Sequence, residues 1–129
     1  MRTVLALSLL AAACGSGMSN QDRLLEAVHR FNDDVRWGRW DSASTWLAPA
    51  TRREFFRDLA VRTHRGDLQT ADVEVVGFQP LAGDRAIVRV ERAWYLISES
   101  ELHEGLFEQS WALLEGEWRM LAERPIRAN

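Results

Sequence analysis

The sequence contains no lysine and a single cysteine. All 16 positively charged side chains are therefore arginine, which we attribute to the composition of the genome rather than to function. One cysteine cannot form a disulfide within the chain, and it also excludes a zinc site built on several cysteines. The 19 acidic residues bring the net charge to −3, and there is no basic run, which argues against binding to nucleic acid.

What is present has the composition of one folded domain. The length of 129 residues suits a single domain, with 47% apolar and 27% charged residues. These fractions exclude a disordered chain and a collagen-like chain.

The first 13 residues have the parts of a secretory signal. Arg2 supplies a positive end, an apolar run extends from Val4 to Leu10, and three alanines precede Cys14. The run is too short to span a bilayer, which needs about 20 apolar residues. Residues 10–14, LAAAC, resemble the lipobox of bacterial lipoproteins.

This resemblance implies a lipid anchor. Residues 1–13 would be removed, Cys14 would carry a diacylglycerol and an acyl chain such as palmitate, and residues 14–20 would form a flexible tether. The residue that follows the cysteine is Gly15 and not an aspartate. By the same resemblance, this favours an anchor in the outer membrane, with the domain facing the periplasm. The alternative is a protein that starts at Met18 and stays in the cytosol.

Three helices are predicted in the first half of the chain. Ser19 or Asn20 can cap the first helix, in which apolar residues recur at spacings of three and four. Pro49 is expected to end the second helix, and Thr51 with Glu54 forms a capping pattern for the third. In the third helix Phe55 and Phe56 are expected on the buried face. The predicted helices cover residues 20–36, 41–48 and 51–65.

From residue 72 the apolar period changes to two, which predicts strands. Glu115 and Gly116 form a tight hairpin before the last strand, and Pro125 is expected to stop that strand. The predicted strands cover residues 73–78, 85–97, 103–114 and 117–123.

Three helices followed by four strands predict an α+β domain over residues 21–126, with an antiparallel sheet covered on one side by helices. The hairpin from Trp111 to Met120, WALLEGEWRM, resembles the end of nuclear transport factor two-like (NTF2-like, cystatin-like cone) domains. The resemblance implies a curved sheet around a cavity that can hold a ligand. Members of that family usually have extra strands between their helices, which are not evident here.

Four polar residues are candidates for the cavity. Arg92 and Gln109 interrupt apolar strand faces, Asn32 lies beside the stripe of the first helix, and Tyr95 is the only tyrosine. A buried arginine must be paired or must bind an anion. For Arg92 the alternatives are a ligand, an ion pair with Glu108 or a helix carboxylate, and an edge position open to water.

The sequence shows no catalytic constellation. Enzymes on the cone fold, such as ketosteroid isomerases and polyketide cyclases, pair an Asp or His base with a Tyr or acid donor. The histidines, at positions 29, 64 and 103, show no dyad spacing, and no two are close enough to suggest a metal site. No cofactor is therefore expected.

The sequence thus favours a lipid-anchored envelope protein that acts as a non-catalytic binding or accessory module. An isomerase- or cyclase-like enzyme that uses the cone cavity stays open as an alternative, as does the cytosolic protein. The expected partners are the membrane, through Cys14, and a protein or second copy bound to the outer sheet face. On that face charged and apolar residues alternate: Arg85, Ile87, Arg89, Glu91 and Ala93.

Overall fold

A computed structural model of the protein describes residues 19–62 and 67–128. The predicted signal segment, Cys14 and most of the predicted tether lie outside the described residues, as do His64 and Gly66. The helices are α1 (Asn20–Arg36), α2 (Trp40–Ser44) and α3 (Pro49–Arg62). The strands are β1 (Leu68–Ala82), β2 (Arg85–Leu96), β3 (Leu102–Leu114) and β4 (Glu117–Ala128). The predicted α+β class is confirmed.

α1 follows its predicted pattern. Ser19 caps the helix, and its Oγ accepts a hydrogen bond from the backbone N–H of Asp22 at 3.1 Å. Gly38 follows the end of the helix with a φ of +68°, a conformation that glycine adopts without strain. The apolar stripe of α1 is buried: Leu24, Ala27, Val28, Phe31 and Val35. None of the described helices has the length and apolar character needed to cross a membrane.

The second and third helices begin at other residues than predicted. α2 starts at Trp40, one residue before the predicted Asp41. Pro49, expected to end α2, is instead the first residue of α3. Proline fits there because the first N–H groups of a helix have no partner within it. Thr51 consequently lies inside α3, where its Oγ1 donates a hydrogen bond to the Leu121 carbonyl oxygen at 2.7 Å.

The strands form one antiparallel sheet in the order β1-β2-β3-β4. β1 extends beyond the predicted strand at both ends. Three register shifts interrupt the alternation of apolar and polar residues, so the sequence pattern shows only the middle of the strand. β4 continues through Pro125, which pairs with Phe107. The prediction that Pro125 stops the strand was wrong, since β4 is an edge strand and an edge position can lack the N–H of proline.

The core lies between α1 and the inner face of the sheet. Trp111 is 1% exposed, and its ring meets Phe31 edge to face with centroids 6.0 Å apart. The connection between α2 and α3 is fixed to the edge of β4. There Ala48 donates its N–H to the Met120 carbonyl oxygen at 3.0 Å, and the Met120 N–H donates to Trp46 at 2.9 Å. α3 is therefore held to the sheet near its first residues.

Candidate functional site

A cavity of about 490 Å³ lies between the helices and the inner face of the sheet. This volume falls in the range of small-molecule sites. The walls are largely aromatic, with rings from both helices and strands: Phe31, Trp40, Phe55, Trp94 and Phe107. The rings of Trp94 and Phe107 meet edge to face at a centroid distance of 5.8 Å.

One face of α3 forms the outer wall of this cavity. Its lining residues recur at spacings of three and four, as they must on one side of a helix: Thr51, Glu54, Phe55, Asp58 and Leu59. Phe55 and Leu59 are half-buried. Phe56 was also predicted on the buried face, and that prediction was wrong. Phe56 is 39% exposed and packs edge to face on Phe55.

Arg92 and Glu123 form an ion pair in the wall of the cavity. Arg92 Nη1 donates to Glu123 Oε1 at 2.9 Å and Nη2 donates to Oε2 at 2.8 Å, a bidentate geometry. The Arg92 side chain is 9% exposed and that of Glu123 is 19% exposed. Burial lowers the pKa of Arg92, but the charge of Glu123 and its hydrogen bonds outweigh burial and raise that pKa above its ordinary value.

The ion pair is joined to a network of amides in the core. Gln109 Nε2 donates to Glu123 Oε2 at 2.8 Å and to Asn32 Oδ1 at 2.9 Å. Asn32 Nδ2 donates to the Val28 carbonyl oxygen at 2.8 Å, and Trp111 Nε1 donates to Gln109 Oε1 at 3.2 Å. Gln109 and Asn32 therefore orient Glu123 from within the core.

One donor of Arg92 is left over. Its Nε is buried and has no hydrogen-bond partner among the described residues. The guanidinium carbon lies 4.6 Å from the ring centroid of Phe107, in a cation–π contact. A buried donor without a partner costs about 1–3 kcal/mol.

Glu123 was not predicted from the sequence as the partner of Arg92. The sequence offered Glu108 or a helix carboxylate as partners for Arg92, but Glu108 lies on the outer face, where Arg124 Nη2 donates to it at 2.8 Å. A register shift between β3 and β4 leaves Leu121 unpaired and reverses the alternation beyond it. Glu123 consequently stands opposite Gln109 on the inner face. The only signal in the sequence is an acidic residue near the end of a strand.

Of the other predicted candidates, Gln109 and Asn32 belong to the core network, and neither they nor Tyr95 line the cavity. Tyr95 pairs with Leu102 in the sheet, and its side chain is 37% exposed. His29 is exposed on α1, and His103 stacks on Trp94 with centroids 5.7 Å apart. Across residues 19–62 and 67–128, no group of His, Cys, Asp and Glu side chains is arranged to hold a metal ion.

Several solved structures are similar to the chain. An NTF2-like protein from Cytophaga hutchinsonii has a TM-score of 0.65 and 14% identity, covering 85% of this chain and 99% of its own. A domain of unknown function with a cystatin-like fold from Nostoc punctiforme has a TM-score of 0.64 and 12% identity, covering 87% and 79%. An LEH-like epoxide hydrolase from M. tuberculosis has a TM-score of 0.55 and 14% identity, covering 77% and 81%.

No protein-family model matches the chain, and no curated protein matches it significantly. At such low identities the structural likeness concerns the fold alone. The chain has the fold of NTF2-like, cystatin-like proteins, as the WALLEGEWRM hairpin predicted.

Proposed function

We propose that this protein is a non-catalytic module that binds a mainly apolar small molecule in the cone-like cavity between α3 and the sheet. The observation that carries the proposal is an aromatic cavity of about 490 Å³ with Arg92 in its wall and the Nε donor of Arg92 unpaired. Apolar surface of a ligand would cover the rings, and one acceptor oxygen would satisfy Nε.

Catalysis is the second candidate, because one neighbour of the same fold is named as an epoxide hydrolase. Of the three carboxylates that line the cavity, Glu54 and Asp58 are exposed and Glu123 is half-buried. It accepts two hydrogen bonds from Arg92 and one from Gln109, which stabilise its charged form. Glu123 is thus engaged in an ion pair, and no described partner orients Glu54 or Asp58 as a base, so binding without turnover is the better supported function.

A neutral fluorescent probe, N-phenyl-1-naphthylamine, tests the proposal on the full chain. We expect its fluorescence to rise on binding and the rise to be lost in Leu59→Trp, which fills the cavity from α3. Val61→Trp is the matched control, since Val61 lies on the same helix and is 73% exposed. Equal binding by Leu59→Trp and the unsubstituted protein would contradict the proposal. Epoxide hydrolysis that disappears in Glu123→Gln would support the enzyme instead.

We further propose that Cys14 carries a lipid that anchors the protein in the cell envelope, facing the periplasm. The domain geometry suits such an anchor, because α1 begins beside the β3–β4 hairpin, where Trp118 Nε1 donates to the Asn20 carbonyl oxygen at 2.9 Å. The cavity residue Phe107 is seven residues from Leu114 along β3, about 23 Å of strand. The part of the cavity that Phe107 lines would thus lie away from the anchor.

Labelling of cells with a palmitate analogue tests the anchor. We expect label on the full protein, no label on Cys14→Ala, and loss of that variant from the membrane fraction. An unmodified chain beginning at Met18 in the native protein would contradict the proposal.

A further inference from the structure

The charges around the cavity do not cancel. Its lining contains one positive side chain, Arg92, and three negative ones, Glu54, Asp58 and Glu123, a net charge of −2. The charge of Arg92 is matched by Glu123 at hydrogen-bond distance. The excess negative charge therefore belongs to Glu54 and Asp58.

Glu54 and Asp58 are positioned to meet a ligand. They are four residues apart on α3, so their side chains lie one helical turn apart on the face that lines the cavity. Both are exposed, and in the part of the chain that the structure describes neither carboxylate makes a hydrogen bond or an ion pair. Phe55 lies between them in sequence and contributes its ring to the same wall.

The arginine does not make the cavity a site for anions. The charge of Arg92 is already matched by its bidentate pair with Glu123, so a ligand carboxylate bound through Nε would add an unmatched negative charge. A ligand carboxylate that displaced Glu123 would leave that half-buried side chain without its partner, which is costly. It would also face Glu54 and Asp58. The Nε–H of Arg92 would instead donate a hydrogen bond to a neutral oxygen of the ligand, which adds no charge.

Resting on the proposed function, we infer that the ligand is a cationic amphiphile, with an amine or ammonium group beside Glu54 and Asp58 and an apolar body among the rings below. Aromatic faces also attract cations, and the rings of Trp40 and Phe55, with centroids 6.4 Å apart, line the same cavity as the two carboxylates. The aromatic walls of this cavity of about 490 Å³ are the independent sign that it receives a ligand.

Displacement of N-phenyl-1-naphthylamine by decylamine, decanol and decanoate at pH 7 tests the charge preference at constant chain length. We expect decylamine to displace the probe at roughly a fivefold lower concentration than decanol, and decanoate to be weakest. The advantage of decylamine should shrink as NaCl rises from about 20 to about 500 mM, because salt screens exposed charges.

The double variant Glu54→Gln/Asp58→Asn should bring decylamine to the level of decanol and leave decanol unchanged. Glu101→Gln/Glu115→Gln is the matched control, since it removes the same charge from exposed loop positions. Failure of the probe to bind at all would refute the proposed function. Probe binding with equal displacement by decylamine and decanol, or with decanoate strongest, would refute only the inference about charge.

Discussion

Gln109 donates a hydrogen bond to Glu123 at 2.8 Å, and this contact joins the buried amides of the core to the ion pair in the cavity wall. The consequence is that the geometry of Arg92 depends on residues that do not line the cavity. Asn32 on α1 holds Gln109, and Gln109 holds Glu123. Stability and ligand binding should therefore respond together to changes in this network.

The effects of replacing Arg92 and Glu123 on the free energy of unfolding should be strongly coupled. Arg92→Met leaves Glu123 buried without its charge partner and should lower the free energy of unfolding by about 3 kcal/mol, while Arg92→Met/Glu123→Met should recover most of the loss. Urea unfolding followed by tryptophan fluorescence measures both. Arg124→Met is the control, because Arg124 is 71% exposed on the outer face and an ion pair with an exposed arginine contributes at most about 1 kcal/mol. Additive losses from Arg92→Met and Glu123→Met would contradict this prediction.

Replacing Gln109 should cost more than its own hydrogen bonds. Gln109→Leu leaves the Nε1 donor of Trp111 and the Oδ1 acceptor of Asn32 without a partner, and we expect the free energy of unfolding to fall by about 2–3 kcal/mol. Thermal unfolding by circular dichroism measures the change. Gln79→Leu, at an exposed position of β1, should change it by less than about 0.5 kcal/mol. An unchanged midpoint in Gln109→Leu would show that the network is not stabilising.

The attachment of α3 should depend on Thr51. Thr51→Val removes the hydrogen bond to Leu121 that ties α3 to β4, at a cost of about 1 kcal/mol, and should speed hydrogen exchange along α3. Thr45→Val is the control, because its Oγ1 donates only to the nearby Ser42 carbonyl oxygen. Equal exchange in α3 for both variants would argue that other contacts hold the helix.

Gly105 should be intolerant of a side chain. A Cβ there would lie 3.0 Å from Phe107 Cε2 and 3.2 Å from the ring of Trp94, so Gly105→Ala must displace an aromatic wall of the cavity. We expect a loss of about 1–3 kcal/mol and a changed near-ultraviolet circular dichroism spectrum. Gly83→Ala has no atom within 4 Å of its Cβ and should leave that spectrum unchanged. If Gly105→Ala gave the same spectrum as the unsubstituted protein, the predicted steric clash at position 105 would be contradicted.

Local patterns predicted much of the fold. The capping of α1 by Ser19 and its apolar stripe are properties of sequence neighbours, and so is the alternation along β2 and β3. Arg92 could be recognised as an interruption of an apolar face for the same reason. Pro49 and Pro125 were misjudged because proline alone does not reveal whether a helix begins there or whether a strand lies at the edge of a sheet.

The sequence by itself therefore determined the α+β class and the order of the elements, since both follow from the period of apolar residues, and it marked Arg92 as an interruption of an apolar face. Only the tertiary structure decided that Glu123 is the partner of Arg92, because that depends on a register shift between two strands. It also decided that one face of α3 borders a cavity instead of packing on the sheet. The physical reason is that helical periodicity identifies a face but not the distance to what lies opposite.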